Sequence, residues 1–446
     1  MLQSETIRKY DTYKDSGIEW IGEIPKEWNT ITLKRVFSNR DGGAWGEEPQ
    51  NNENDRICIR IADFDYPQMT IKHDIDYTVR NYTTDVIEKL TLQKNDILIE
   101  KSGGGDQTPV GRTIIFNEDF NALYANFMDR LRVKQSISPK FIEYLLVSFY
   151  QNGITYQYIK QTTGIQNLDL TNLLAKESIV LPILDEQQKI ADYLDKKCGE
   201  IDRVIETEKS VIEKLKEYKQ SIITESVTKG LDKSVPLKDS GIEWIGKIPQ
   251  HWDVCKLLKL YKERKCKNKG NIETNVLSLS YGNIKKRNVK NNMGLLPESF
   301  ETYNIVIPNN IVLRLTDLQN DHKSLRCGLV KEQGIITSAY VTLEKKIDRI
   351  SSNYYYRLLY TFDIMKGFYG MGDGVRQNLK YDGELCNLLV VKPPFEEQQQ
   401  IAKYLDKKCS EIDKAIADKE QVIEKFTEYK KSLIYECVTG KRKVVA

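Results

Sequence analysis

Two pieces of this chain occur twice. Residues 14–25, KDSGIEWIGEIP, return at 238–249 as KDSGIEWIGKIP, and a tryptophan follows each copy closely (Trp28, Trp252). Further along, 187–227 matches 398–438. QQKIADYLDKKCGEID aligns there with QQQIAKYLDKKCSEID, and VIEKLKEYKQSI with VIEKFTEYKKSL. From Ile190 to Val227, 23 of 38 positions are identical, far beyond chance at a fixed period. The first match has an offset of 224 residues and the second of 211, so the intervening segment is 13 residues shorter in the second half. A chain of 446 residues has room for two or three domains. The repeat says that two of them descend from one unit whose edges were kept while the middles diverged.

The kept segments at 187–230 and 398–438 read as long helices. No proline interrupts 187–228, and Gly199 is the only glycine inside, replaced by Ser410 in the other copy. Leu194, Cys198, Ile201, Ile205, Ile212, Leu215 and Ile222 follow one another in steps built from three and four. Leu405, Cys409, Ile412, Ile416, Ile423, Phe426 and Leu433 repeat them. That is a heptad-like seam with charge on the other faces. Acidic pairs (Asp185-Glu186, Glu396-Glu397) suit the helix starts, and Gly230 and Gly440 mark the ends. About 42 residues at 1.5 Å each give a helix of roughly 60 Å. Two matching seams separated by a whole domain predict an intramolecular antiparallel coiled coil; separate packing of each helix on its own domain is the competing arrangement.

The middles read as mixed α/β (α+β). ITLKRVF, RICIRI, NDILIEKS and GRTIIF look like strands in the first, and NVLSLSY, NNIVLRLT, CGLVKE and AYVTLEKK in the second. An apolar helix-like run follows in each, PKFIEYLLVSFYQNG and SNYYYRLLYTFDIMKGFYG. Tyr354, Tyr355, Tyr356 and Tyr360 interleave there with Leu358 and Leu359, so they read as helix packing rather than a base-stacking platform. A faint echo links NDILIEKS to NNIVLRLT, and GIQNLDL at 164–170 to GVRQNLK at 374–380. The expected organisation is domain 1 at 1–186, helix 1 at 187–230, domain 2 at 231–397, and helix 2 with a tail at 398–446, an internal pseudo-two-fold repeat.

Several functions are excluded on chemistry. No run of eighteen apolar residues exists for a membrane span, and MLQSETIRKYDTYKD lacks a signal-like apolar core, which predicts a cytoplasmic protein. Eight cysteines form no CxxC pair and the three histidines lie far apart, so no metal site and no His-based catalytic constellation is expected. SGGGDQTPVG at 102–111 lacks the Lys-Ser/Thr ending of an ATP-binding loop and reads as a flexible loop between strands, able to approach phosphates. Lys392-Pro393-Pro394-Phe395 resembles a methyltransferase motif but begins with Lys, and reads better as a rigid linker into a helix. Net charge is +3, unevenly spread: 253–390 holds 22 Lys/Arg against 14 Asp/Glu, whereas 30–180 holds 17 against 20. The second middle thus resembles an electrostatic binder of phosphate and the first does not.

The repeated KDSGIEWIG-x-IP-x-x-W segment and the E-Q-Q-x-I-A-x-Y-L-D-K-K-C-x-E-I-D start of each helix resemble the specificity (S) subunits of bacterial type I restriction–modification systems. A G-x-x-x-N-L-like segment ahead of each helix agrees. The resemblance covers essentially the whole chain. It implies two target recognition domains, each reading one half of a split double-stranded DNA sequence. It implies paired helices that fix the unread spacer and dock two methyltransferase (modification) subunits. It also implies that the chain is no enzyme and has no cofactor of its own: S-adenosylmethionine, ATP and magnesium would sit in the modification and restriction subunits. Within that reading, candidate DNA-binding residues in the first domain are Arg60, Lys101, Arg112, Thr163, Gln166 and Asn167. In the second they are Arg264, Lys265, Lys267, Asn283, Lys285, Lys286, Arg287, Arg314, Arg326 and Arg376. Arg and Lys would neutralise phosphates, and Arg, Asn and Gln would reach base edges. The clusters at 264–269 and 285–290, with Asn268 nearby, are the densest. Competing readings are an adaptor whose coiled coil binds proteins, and a standalone nickase or methyltransferase.

Overall fold

The computed structural model describes residues 8–162, 164–287, 299–318, 325–371 and 378–444. It holds six α-helices among these: α1 (Thr84–Leu90), α2 (Pro139–Gln151), α3 (Leu170–Lys176), α4 (Leu184–Lys229), α5 (Ser352–Ile364) and α6 (Phe395–Val438). The chain divides into two compact units. Unit 1 is Met1–Ser210 with Lys419–Ala446, and unit 2 is Val211–Asp418, so each long helix gives one stretch to each unit.

Unit 1 is built on a four-stranded antiparallel sheet in the order Thr113–Phe116, Asp96–Glu100, Met128–Val133, Phe37–Gly42. The strand Asp96–Glu100 is buried throughout, the pattern of a central strand covered on both faces. α2 begins where Pro139 follows Ser138, whose side chain accepts from Phe141 N at 3.4 Å. That is a proline-entered, serine-capped start. Residues 31–37 depart from the single strand expected: Leu33–Val36 forms a 3-10 turn between the strands Asn29–Thr32 and Phe37–Gly42. Leu33 and Val36 are both fully buried, and a three-residue step puts two apolar side chains on one side where a strand would split them. A second apolar cluster, with Cys58, Phe64, Leu98 and Tyr124, gathers around the parallel pair Asp55–Ile59 and Ala122–Tyr124.

Unit 2 repeats the central sheet with different residues. Cys327–Leu329, Ile311–Leu313, Val341–Lys345 and Tyr261–Glu263 pair antiparallel in the corresponding order. The echo of NDILIEKS in NNIVLRLT is thus one strand in two copies. Ser351 caps α5 as Ser138 caps α2, accepting from Tyr354 N at 3.3 Å. Tyr354 and Tyr355 pack inside, as the sequence suggests, and donate to Val227 O at 2.7 Å and Val391 O at 3.2 Å.

The duplicated motifs are the joints of each unit. Tyr13–Asp15 pairs with Glu23–Pro25, and Asn29–Thr32 with Ser178–Leu181, just ahead of α4. In unit 2, Leu237–Asp239 pairs with Lys247–Pro249, and Asp253–Lys256 with Leu389–Lys392, just ahead of α6. Trp28 Nε1 donates to Glu186 at 3.1 Å and Trp252 Nε1 to Glu397 at 3.0 Å. Both rings are buried. Gln187 accepts from Ser138 N and donates to Pro182 O; Gln398 accepts from Ser351 N and donates to Pro393 O. Each buried amide closes helix, linker and module into one hydrogen-bonded knot, and an apolar residue there would strand two backbone groups.

The helix stretches pair antiparallel inside each unit. In unit 1, Asp202 meets Lys430 at 2.6 Å and Glu208 meets Lys419 at 2.9 Å, numbers rising on one helix as they fall on the other. Ile190, Leu194, Cys198 and Ile201 share a core with Leu433, Ile434, Cys437 and Val438. In unit 2, Lys219 meets Asp413 at 2.6 Å, and a Cβ on Gly230 would stand 3.0 Å from Glu397 Oε1. Ile222, Ile223 and Val227 there share a core with Ile401, Leu405, Cys409 and Ile412. Among the described residues, no helix is long and apolar enough to cross a membrane.

Candidate nucleic-acid interface

In unit 1 the glycine-rich run is less free than a flexible loop. Ser102 and Gly103 form a short strand against Asn167 and Gln166. Ser102 Oγ donates to Asn167 Oδ1 at 2.7 Å, Gln166 Oε1 accepts from Val110 N at 3.3 Å, and Leu168 N donates to Lys101 O at 2.8 Å. Gly104 has φ +66°, and a Cβ there would lie 2.8 Å from Val110 N, so only glycine fits. The pairing brings Lys101, Gln166 and Asn167 together. Gln166 is buried, however, and its carbonyl holds the loop. Thr163 lies outside the described residues.

The cations of unit 1 are held by carboxylates beneath them. Lys101 Nζ and Arg40 Nε clasp Asp129 at 2.8 and 2.7 Å; Arg112 meets Glu100 at 2.8 Å; Arg60 meets Asp63 at 2.9 Å. Glu100 also accepts from Tyr66, whose hydroxyl pKa burial and that carboxylate push well up, and the Arg112 guanidinium stacks on the Tyr66 ring. The acidic count of this module thus includes several carboxylates that do not reach the surface. Asp63, Asp96, Glu100, Asp129 and Glu143 are buried, and the partly exposed cations they hold face out. Arg40, not among the candidates, shares Asp129 with Lys101. Sequence reading also missed Phe127 and Ile165, both about half exposed, next to Lys101 and Gln166.

In unit 2 the two basic clusters separate into different jobs. Arg264 is tied to Glu344 at 2.8 Å and to Ile305 O at 2.9 Å. Lys265 is exposed beside Glu263, which raises its pKa, and Lys267 donates to Thr302 O. Asn268 is fully buried and bonds the backbone of Glu273 in both directions. The 264–269 cluster thus carries much of its own loop. By contrast, Asn283, Lys285 and Lys286 stand exposed on the strand Asn283–Lys286, with Arg287 half-buried after them. Arg314 is half-buried in the sheet region.

Arg326 corrects the sequence reading. Its side chain is fully buried, donates to Arg314 O at 3.1 Å and Thr316 O at 3.0 Å, and stacks against Tyr369. A guanidinium satisfied by backbone carbonyls in the core holds the chain together and cannot reach a phosphate. Arg376 and residues 288–290 lie outside the described residues. Among those described, no group of three or more His, Cys, Asp or Glu is placed to hold a metal.

Exposed Asn283, Lys285 and Lys286 on one strand of an α/β module are the kind of surface that nucleic-acid recognition uses. Comparison with known proteins is more particular. Residues 25–217 match the family described as Type I restriction modification DNA specificity domain. The protein of Methanocaldococcus jannaschii assigned as the type I restriction enzyme MjaX specificity subunit is 26% identical over 437 residues, spanning 95% of this chain and 96% of that one. The MjaVIII specificity subunit of the same organism is 23% identical over 85% of this chain and 86% of its own length. The StySPI specificity subunit of Salmonella potsdam is 25% identical over half of this chain. By fold, it is similar to a chain solved in work on complex assembly and conformational transition of the type I R-M system, with TM-score 0.67 and 13% identity over 93% of this chain and 98% of that one. The HsdS subunit of Thermoanaerobacter tengcongensis gives TM-score 0.50 and 13% identity over 94% and 98%. Over nearly its whole length the chain is thus similar in sequence to specificity subunits of type I restriction–modification systems, and it shares the fold of solved chains from such systems.

Proposed function

We propose that the chain reads a bipartite double-stranded DNA target, each α/β module reading one block, with the paired helices fixing the unread gap. The same helices, in this reading, dock two methyltransferase subunits, and restriction subunits join the complex. S-adenosylmethionine, ATP and magnesium belong to those partners, and the complex works in the cytoplasm. One observation carries the proposal: the joints and helices are duplicated, with 23 of 38 helix positions identical, while the two modules keep one sheet order and present different surface side chains. A fixed scaffold with exchangeable readers is what a split target needs.

The test is to express the chain with the methyltransferase chains of its own system and map methylated adenines in host DNA. A motif of two short blocks around a constant gap is expected. Replacing residues 253–390 with the equivalent segment of a relative then changes one block only. A complex that forms yet methylates without sequence preference overturns the reading in favour of an adaptor, and methylation by the chain alone overturns its non-catalytic role.

A further inference from the structure

One element of unit 2 is shaped for reading rather than for packing. Leu277–Ser280 and Asn283–Lys286 form a two-stranded antiparallel ribbon with partners Leu277/Lys286, Ser278/Lys285, Leu279/Ile284 and Ser280/Asn283. Alternation sends Leu277, Leu279 and Ile284 to one face. That face is seated on the strand Cys327–Leu329, where a Cβ on Gly328 would stand 2.6 Å from Leu279 Cδ1 and 2.9 Å from Ile284 Cδ1. Ser278, Ser280, Asn283 and Lys285 occupy the other face, all donors or acceptors, half-buried to exposed.

The tip departs from what turn chemistry favours. The two-residue loop Tyr281-Gly282 has φ of +46° and +74°, the left-handed pair that Asn-Gly or Asp-Gly usually supplies. An aromatic residue at the first position is strained there. Gly282 is pinned: its carbonyl accepts from Tyr356 of α5 at 3.2 Å, and a Cβ there would stand 3.3 Å from Leu325 Cβ and 3.4 Å from Tyr360 Cε2. Tyr281 meanwhile is 75% exposed. Strain kept at an anchored tip that presents a bare aromatic ring is a mark of function.

We infer that this ribbon is the direct reader of unit 2, entering a groove of duplex DNA with Ser280, Asn283 and Lys285 toward base edges and Tyr281 stacked on a base or sugar at its tip. The inference rests on the DNA-recognition reading above. The occupant is set by charge: Lys285, Lys286 and Lys331 are all exposed here, in the segment that carries the chain's excess of cations. A two-stranded ribbon fits the major groove, where Asn pairs with adenine and Lys with guanine. Aromatic stacking adds affinity with little regard to sequence.

The experiment uses the full chain, alone and assembled with its methyltransferase partner, to enrich duplexes from a pool with a randomised core. Tyr281→Asn puts a turn-favoured residue at the tip. Its thermal midpoint should hold or rise while affinity for the wild-type-selected duplex falls about tenfold. Asn283→Ala should keep one block of the selected sequence and lose preference at one or two positions of the other. If both variants select the wild-type sequence with wild-type affinity, the ribbon is not the reader. If the wild-type chain enriches no sequence in either form, the DNA-recognition reading itself falls, and this inference with it.

Discussion

Lys430 Nζ lies 2.6 Å from Asp202 Oδ2 in unit 1, and the residues one repeat away, Lys219 and Asp413, meet at the same 2.6 Å in unit 2. The same two positions, duplicated, make the same ion pair with the helices exchanged. The surroundings differ. The Lys430 and Asp202 side chains are 14% and 13% exposed, whereas Lys219 and Asp413 are 29% and 57% exposed. Lys430 also donates to Pro67 O.

That difference predicts unequal costs for equivalent substitutions. Lys430→Ala should destabilise by about 2 kcal/mol, because a mostly buried Asp202 loses its partner. Lys219→Ala should cost less than about 1 kcal/mol, as exposed pairs do. Urea unfolding of both variants decides it, and equal losses would contradict the burial argument.

Glu208 and Lys419 face each other at 2.9 Å and are themselves repeat counterparts. Had both copies kept the same charge, the pair would repel. Glu208→Lys should therefore lower the unfolding midpoint, and adding Lys419→Glu should restore most of the loss. A double-mutant cycle reads the coupling, and an additive result would show that the pair contributes nothing.

Burial pushes the Glu143 carboxyl from an ordinary value near 4.5 up to about 7, despite Lys140 Nζ at 2.9 Å. A raised folded pKa contributes stability that is fully present below about pH 4.5 and is lost as pH rises through about 7. Thermal midpoints measured across this window should fall more in the wild type than in Glu143→Gln, by roughly 2–4 °C for each kcal/mol at stake in a unit of this size. Parallel curves would rule out Glu143 as the titrating group.

Gln187→Leu and Gln398→Leu should each cost about 2–4 kcal/mol, since each strands a buried backbone N–H and a carbonyl. The two losses should match within error in chemical denaturation, because the two knots use the same partners.

Exposed and buried cations of unit 2 should separate cleanly in a salt titration of DNA binding. Lys285→Ala with Lys286→Ala should lower the log–log salt slope by about 1 to 2 and leave the unfolding midpoint unchanged. Arg326→Ala should do the reverse, destabilising unit 2 through the carbonyls it leaves without a donor. A slope unchanged in the lysine variant would move the phosphate contacts elsewhere.

The sequence by itself determined the scaffold. Helix periodicity, the tryptophan and glutamine joints and the duplication are local or strictly repeated signals, and the structure places each where the repeat requires. The sheet order of the middles was legible only as the echo between two strands, since short strands carry little periodicity and their partners lie far apart in sequence. The turn at Leu33–Val36 was hidden because a β-rich string reads as a strand until its burial is known. Charge was the least legible. Arg326 and Lys285 look alike in one dimension, but the tertiary structure buries one among carbonyls and sets the other on an open ribbon. The acidic first module keeps several carboxylates, Asp63, Asp96, Glu100 and Asp129 among them, beneath cations, while others such as Glu48 and Asp119 stay exposed. Whether a charge meets solvent depends on neighbours brought from dozens of residues away, and only the folded chain decides which those are.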